Sequence, residues 1–299
     1  MSDRRAAAPP VPAAEWRVRG RTIALDRPVI FGILNVTPDS FSDGGKFFSE
    51  VAAVARAGEL LAEGADILDI GGESTRPHGA REVSAGEERR RVVPVIEAVL
   101  REHPDAIVSV DTVKSEVAAA ALDAGAAIVN DVSGFRLDPG MPALCAEREA
   151  GVVLMHSRGG VADMATFAQA TYGDDIAREV RGELLQRVRV AEGAGVARVR
   201  IAVDPGAGFS KRSAHTIAVL AELPALVACG YPVLVGVSRK RFIGEITGVN
   251  DPVERLYGSV GANAAALALG ARLFRVHDVR ATRHALDVAW AILRASQPA

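Results

Sequence analysis

From residue 29 onward, short apolar runs alternate with longer stretches in which alanine, leucine and valine recur at helical spacing. The first run, V-I-F-G-I-L-N from Val29 to Asn35, is too short for a helix. It is also too uniformly apolar for a strand with one wet face. It gives way to T-P-D-S-F-S-D-G-G, the residues of an exposed loop, with Asn35 at the junction. Seven more such runs occupy 66–72, 107–111, 127–131, 152–156, 199–204, 232–238 and 272–276. Between and after them the spacing predicts helices over 50–64, 87–103, 114–125, 139–150, 175–193, 214–229, 253–270 and 281–296, several of them stopped by glycine.

Eight strands alternating with eight helices predict an α/β fold of parallel strands covered by helices. The count favours a closed (β/α)8 TIM barrel over an open doubly wound sheet, and no G-x-G-x-x-G follows the first strand. Ahead of the barrel, W-R-V-R-G-R-T-I-A-L-D-R-P at 16–28 alternates polar and apolar positions about Gly20. That pattern predicts a short N-terminal hairpin, placed to close one end of the barrel. Residues 1–15 are rich in alanine and proline and read as a flexible leader, without the apolar block of a secretory signal. With no interdomain linker visible, 16–299 is expected to form one domain that includes the hairpin.

Composition removes several function classes. Net charge is −2, from 35 basic and 37 acidic residues, so no global field favours nucleic acid or an anionic membrane. Only 5% of the 299 residues are aromatic, which leaves few platforms for stacking bases. No apolar run approaches the roughly 20 residues needed to span a bilayer. Cys145 and Cys229 lie far apart without metal-ligand spacing and read as small hydrophobes of a reducing compartment. A cytoplasmic protein handling small molecules, and binding neither nucleic acid nor membrane, is expected.

The chemistry lies at the strand ends. They carry Asn35 with Asp39, Glu73 with Thr75 and Arg76, Asp111, Asn130 with Asp131, Met155 with His156, Asp204, Ser238 with Arg239 and Lys240, and Arg275 with His277. In a barrel these ends converge on one mouth, where the active sites of the fold sit. Carboxylates and amides at that level are costly unless they hydrogen-bond a ligand or one another. Asp111, Asn130, Asp204 and Lys240 offer acceptors, an amide and a cation, which suit a flat heterocycle with N–H donors and a carbonyl. Asn35, Thr75, Arg76, Arg275 and His277 offer mainly donors and positive charge, which suit a phosphate or diphosphate. Singly, each has a plainer reading. Asp111 and Asp204 could be satisfied by backbone, Asn130–Asp131 could be turn chemistry, and Met155 could be core. Arg239–Lys240 and the run 89–91 could be solvated faces. Their coincidence at one end of one barrel favours a site.

Six motifs, in order across nearly the whole chain, resemble dihydropteroate synthases. They are G-I-L-N-V-T-P-D-S-F-S-D-G-G from Gly32, G-G-E-S-T-R-P from Gly71, N-D-V-S-G from Asn130, D-P-G-A-G-F from Asp204, S-R-K from Ser238 and R-V-H-D-V from Arg275. The resemblance implies a (β/α)8 barrel that joins 6-hydroxymethyl-7,8-dihydropterin diphosphate to p-aminobenzoate with the help of Mg2+, giving 7,8-dihydropteroate and diphosphate. It implies a pterin floor of Asp111, Asn130, Asp204 and Lys240, with Met155 and Arg275 packed against the ring. Asn35 would meet Mg2+ and the diphosphate, whose oxygens Thr75, Arg76, Arg275 and His277 would hold. Phe209, Pro77 and Lys240 would flank p-aminobenzoate.

A sulfonamide target and a homodimer are implied as well, the alanine-rich stretches 262–270 and 285–296 offering a dimer face. His78 is an extra residue in the second loop, Arg241 stands where some members carry serine, and Ala207 and Ser210 vary within the D-P-G motif. Three other readings stay open. They are a methyl-transferring pterin-binding barrel, a pterin-binding paralogue without turnover, and a barrel enzyme acting on another phosphorylated metabolite.

Overall fold

The computed structural model of the protein describes residues 13–36, 45–73 and 83–296, with side chains from residue 50 in the second stretch. Two strands, β1 (Glu15–Val18) and β2 (Arg21–Ala24), pair antiparallel as the predicted hairpin. The chain reverses at Gly20, whose φ of +68° is a left-handed value that glycine adopts without strain. The hairpin begins slightly earlier than the sequence suggests. Ala13 packs on the same apolar cluster as Trp16, and the Ala14 carbonyl accepts from Leu25 N–H at 2.9 Å.

The eight strands that follow are β3 (Val29–Asn35), β4 (Ile67–Gly71), β5 (Ile107–Asp111), β6 (Ile128–Asp131), β7 (Gly151–Met155), β8 (Ile201–Asp204), β9 (Leu234–Val235) and β10 (Leu273–Val276). All pair in parallel, in the order β8-β7-β6-β5-β4-β3-β10-β9. The circle closes at Val203, which bridges Val233 and donates its N–H to the Pro232 carbonyl at 2.9 Å. The result is the expected (β/α)8 barrel.

Side chains alternate between the two faces of each strand, and that alternation builds the interior in layers. Phe31, Ile67, Ile128, Val153, Ala202, Leu234 and Leu273 form the lower layer. Trp16 and Val18 of the hairpin join that layer and stop the amino end of the barrel. Two residues further along, β4, β6, β8 and β10 present Asp69, Asn130, Asp204 and Arg275, and the cleft begins.

The helices, among them α1 (Gly45–Ala62), α3 (Ser115–Asp123) and α4 (Met141–Glu147), sit outside and bury apolar stripes against the strands. Helix α2 (Ala85–Glu102) starts at Ser84, whose side chain accepts from Glu87 N–H, and buries Val92, Val95, Ile96 and Val99. Helix α5 (Ile176–Gly193), capped by Asp175, buries Val180, Leu184, Val188 and Ala191 in the same way. Removing each such valine, leucine or isoleucine side chain from water stabilises by about 1.5–3 kcal/mol.

Three boundaries differ from the sequence reading. The helix expected over 214–229 is two, α6 (Ser213–Ala221) and α7 (Leu223–Val227), because Pro224 supplies no N–H and instead opens a new helix. The strand expected over 232–238 keeps ladder pairing only at Leu234–Val235, since the chain turns at once and Lys240 N–H bonds the Val237 carbonyl. The long connection after it holds an extra helix, α8 (Arg241–Thr247), before α9 (Leu256–Ala268). Chain-terminal α10 (Val279–Ala295) packs beside α9.

Candidate active site

The inward positions at the carboxyl ends of the strands form one polar cleft. Asp111, Asn130, Met155, Asp204, Ser238, Arg275 and His277 line it from the strands and their ends, while Phe209 and Lys240 close it from the loops after β8 and β9. Arg275 is its electrostatic centre. Its Nε donates to Asp69 Oδ2 at 2.5 Å and its Nη2 to Asp111 Oδ2 at 2.6 Å. Asn130 Nδ2 donates to the same Asp69 oxygen at 3.2 Å. Asp204 spends one oxygen on its own loop, Oδ1 accepting from Gly206 N–H at 2.7 Å. The Lys240 ammonium stands 3.9 Å from the centre of the Phe209 ring, a cation–π contact that fixes both side chains.

Burial tunes these groups. It pushes Asp111 and Asp204 above the ordinary carboxylate range, against the pull of Arg275 on the first and of Gly206 N–H and Lys240 on the second. Burial likewise draws Lys240 down, with Asp204 opposing it. Burial also works against charge on Arg275, but the Asp69 and Asp111 carboxylates more than offset it and the guanidinium stays charged. At the rim, Ser238 Oγ accepts the His277 backbone N–H at 3.2 Å and lies 3.1 Å from ring Nδ1.

The structure therefore brings Asp111, Asn130, Met155, Asp204, Phe209, Lys240, Arg275 and His277 together, as the sequence reading grouped them. Asn35 stands half-buried at the end of β3, in register with Gly71 and outside the lining of this cleft. Asp39, Thr75, Arg76, Pro77 and His78 lie outside the described residues. Several strand-end residues have structural tasks instead. The Asp131 carboxylate accepts from Ser133 and Phe135 N–H groups. Glu73 ties the base of its loop, taking Val83 N–H at 2.6 Å and Lys114 Nζ at 2.9 Å. Arg239 pairs with Asp278, Arg89 and Arg90 pair with Glu116 and Glu87 on the outer surface, and Arg91, paired with Glu87, reaches inward to the Gly72 carbonyl at 2.8 Å.

Comparison with known proteins agrees with this geometry. Residues 31–277 match the family model described as pterin binding enzyme. The dihydropteroate synthase of Synechocystis sp. is 45% identical over 268 residues, which cover 90% of this chain and 91% of that protein. The structure of Xanthomonas albilineans dihydropteroate synthase with 4-aminobenzoic acid aligns at a TM-score of 0.87 and 47% identity, covering 95% of this chain and 100% of that one. The same enzyme in complex with 7,8-dihydropteroate aligns at 0.84 and 45% identity, with the same coverage. This chain belongs to the pterin-binding enzyme family, among the dihydropteroate synthases. It is a transferase of the folate pathway, joining a dihydropterinylmethyl group to an arylamine.

Two residues that support the cleft escape a reading confined to strand ends. Asp69 is mid-strand, fully buried, and the shared acceptor of Arg275 and Asn130. A charge inside the apolar run D-I-L-D-I-G-G, on the inward parity of β4, is the signal that could have found it. Lys211 is also fully buried, although in sequence it looks like a loop lysine headed for solvent.

Proposed function

We propose that the cleft divides the dihydropteroate synthase reaction between a ring-reading floor and an anion-holding rim. Asp111, Asn130 and Asp204 would accept and donate along the edge of the dihydropterin, and Lys240 would meet its carbonyl side. Met155 and the Arg275 stem would lie against the ring faces. Phe209 and Lys240, with Pro77 from the second loop, would flank p-aminobenzoate. Thr75, Arg76, Arg275, His277 and Asn35 would hold the diphosphate. The observation that carries this reading is the level at which Asp111, Asn130 and Asp204 stand beside Lys240 and Arg275: paired acceptors, an amide and two cations facing one cleft.

The reaction forms a C–N bond from the arylamine nitrogen to the pterin methylene carbon as the C–O bond to diphosphate breaks. The electron pair leaves with the diphosphate, and the nitrogen gives up one of its protons to water or to the departing diphosphate. Positive groups at the rim stabilise charge growing on that leaving group, which is electrostatic catalysis and needs no protein nucleophile. Asn35 offers one neutral oxygen, and no group of three His, Cys, Asp or Glu converges among the described residues. In this reading Asn35 is the one protein ligand, and Mg2+, which keeps several waters, would take its other ligands from the diphosphate oxygens. When bound there, the ion would supply further charge compensation to the diphosphate.

We also read the protein as cytoplasmic and as a homodimer. No described helix is long and apolar enough to cross a membrane, and apolar side chains stand exposed on the last two helices: Tyr257 at 86%, Val288 at 63% and Ile292 at 64%. A sulfonamide, an aryl analogue of the arylamine, is expected to compete at the Phe209–Lys240 wall. The deciding assay follows diphosphate release by the purified protein. Release that requires both p-aminobenzoate and Mg2+ is the expected result. Pterin binding without release would reject the transferase reading of this chain.

A further inference from the structure

Behind the cleft lies a buried polar network that the reaction itself does not use. Lys211 is 1% exposed, and its ammonium has three donors to satisfy. They go to the Gly206 carbonyl at 3.1 Å, the Phe209 carbonyl at 3.1 Å and His156 Nδ1 at 2.8 Å. That use of Nδ1 places the ring proton on Nε2, which faces Glu183 Oε2 at 3.0 Å. Glu183 is held in turn by Arg158. The His156 ring stays neutral, burial and then Lys211 drawing it down to about 4. Its hydrogen bond with Glu183 draws that carboxyl down to about 2.

The three Lys211 partners are neighbours of the substrate-facing residues. Gly206 follows Asp204 by two positions, Phe209 is itself a wall of the cleft, and His156 follows Met155. The loop after β8 is pressed hard onto the end of β7. A Cβ at Gly206 would fall 1.9 Å from the His156 carbonyl oxygen, and the residue sits at φ +69°. Ser210, next to Lys211, closes the other side of the seam by bonding Arg158 and Met164 of the loop after β7.

We propose that Lys211 is a positioning residue of the reaction, its buried ammonium holding the loop that carries Asp204 and Phe209 in place against the end of β7. The inference rests on the substrate roles given above to Asp204 and Phe209. It has two consequences. Fixing the Phe209 carbonyl sets the ring wall that Lys240 stacks upon, so Lys211 governs the arylamine pocket. Its charge also acts on Asp204, where it favours the carboxylate that the pterin needs. The charged and titratable groups facing Lys211 are His156 on the seam, Glu183 on α5, Asp204 at the end of β8, Arg158 in the loop after β7, and Lys240 after β9.

The test measures steady-state constants and pterin affinity against pH, with wild type, Lys211→Met and Glu183→Gln in parallel. Lys211→Met is expected to raise the p-aminobenzoate KM roughly ten- to a hundredfold, as misplacement of a supporting wall does. It should also move the acid limb of pterin binding to higher pH, with kcat less affected. A merely structural lysine would lower the melting temperature and leave both the KM and the acid limb unchanged. That outcome in a folded variant overturns the proposal. If Lys211→Met does not fold, Glu183→Gln decides, because it alters the half-exposed end of the same network. A raised arylamine KM supports the proposal and an unchanged one overturns it. Absence of wild-type turnover and pterin binding would instead reject the function assigned to the cleft.

Discussion

One oxygen of Asp69 serves both Arg275 and Asn130, while its second oxygen has no partner among the described residues. A buried carboxylate so placed is costly alone and affordable only because a guanidinium sits 2.5 Å away. Asp69→Ala would leave Arg275 and Asn130 facing a hole, and we expect a loss of about 3–5 kcal/mol in denaturant unfolding. Wild-type stability in that variant would show that Arg275 finds its support elsewhere. The neighbouring carboxylate Asp204 yields a pH prediction. Burial raises it to about 6, so the folded protein holds this proton more tightly than the unfolded chain. Ionising Asp204 therefore costs the fold some stability as pH rises from about 4 to about 6. Pterin affinity runs the other way, because the ligand needs the carboxylate. Calorimetry should show affinity constant at higher pH and falling as pH drops through about 6, and a flat profile down to pH 5 would remove Asp204 from the floor.

The hairpin and the loop after β8 are the two elements that make this barrel more than a frame. Trp16 is fully buried, packs on Phe31 with ring centres 6.1 Å apart, and donates its indole N–H to the Arg200 carbonyl at 2.9 Å. Gly151 at the start of β7 makes room for Val18 of the same hairpin, since a Cβ there would meet it at 2.5 Å. Trp16→Ala is expected to destabilise by about 3–5 kcal/mol with little change in the KM of either substrate, because it empties the end of the barrel remote from the cleft. Equal losses in stability and KM would mean that the two ends are coupled. The hairpin was legible from its alternation about Gly20. The loop after β8 was legible only as a motif, because nothing local in D-P-G-A-G-F-S-K says that its lysine turns inward.

For the whole molecule, closing eight strands into a circle is what gathers residues as distant as Asp69 and Arg275 into one hydrogen-bonded group. The outer surface carries a separate prediction. Val288 and Ile292 lie one turn apart on α10, both exposed, on a helix that packs beside α9. They are the exposed apolar side chains on which the proposed homodimer would rest. Val288→Glu with Ile292→Glu should convert a dimer to monomers in sedimentation, and a wild-type monomer would reject the homodimer reading.

The sequence by itself determined the strand–helix rhythm, the barrel, the closing hairpin and most of the cleft. Each of these follows from local periodicity or from polar residues placed where a buried strand ends. Even the bland alternative for Asp204 proved half right, since one oxygen serves its own loop while the residue still lines the cleft. Only the tertiary structure decided which mid-strand charge supports the floor, that Lys211 is buried, and that Glu73 and Asp131 bond loop backbone. Those roles depend on which side chains meet across the barrel and its loops. Hydrogen bonding between residues such as Lys211 and His156, 55 positions apart, leaves no trace in the pattern along the chain.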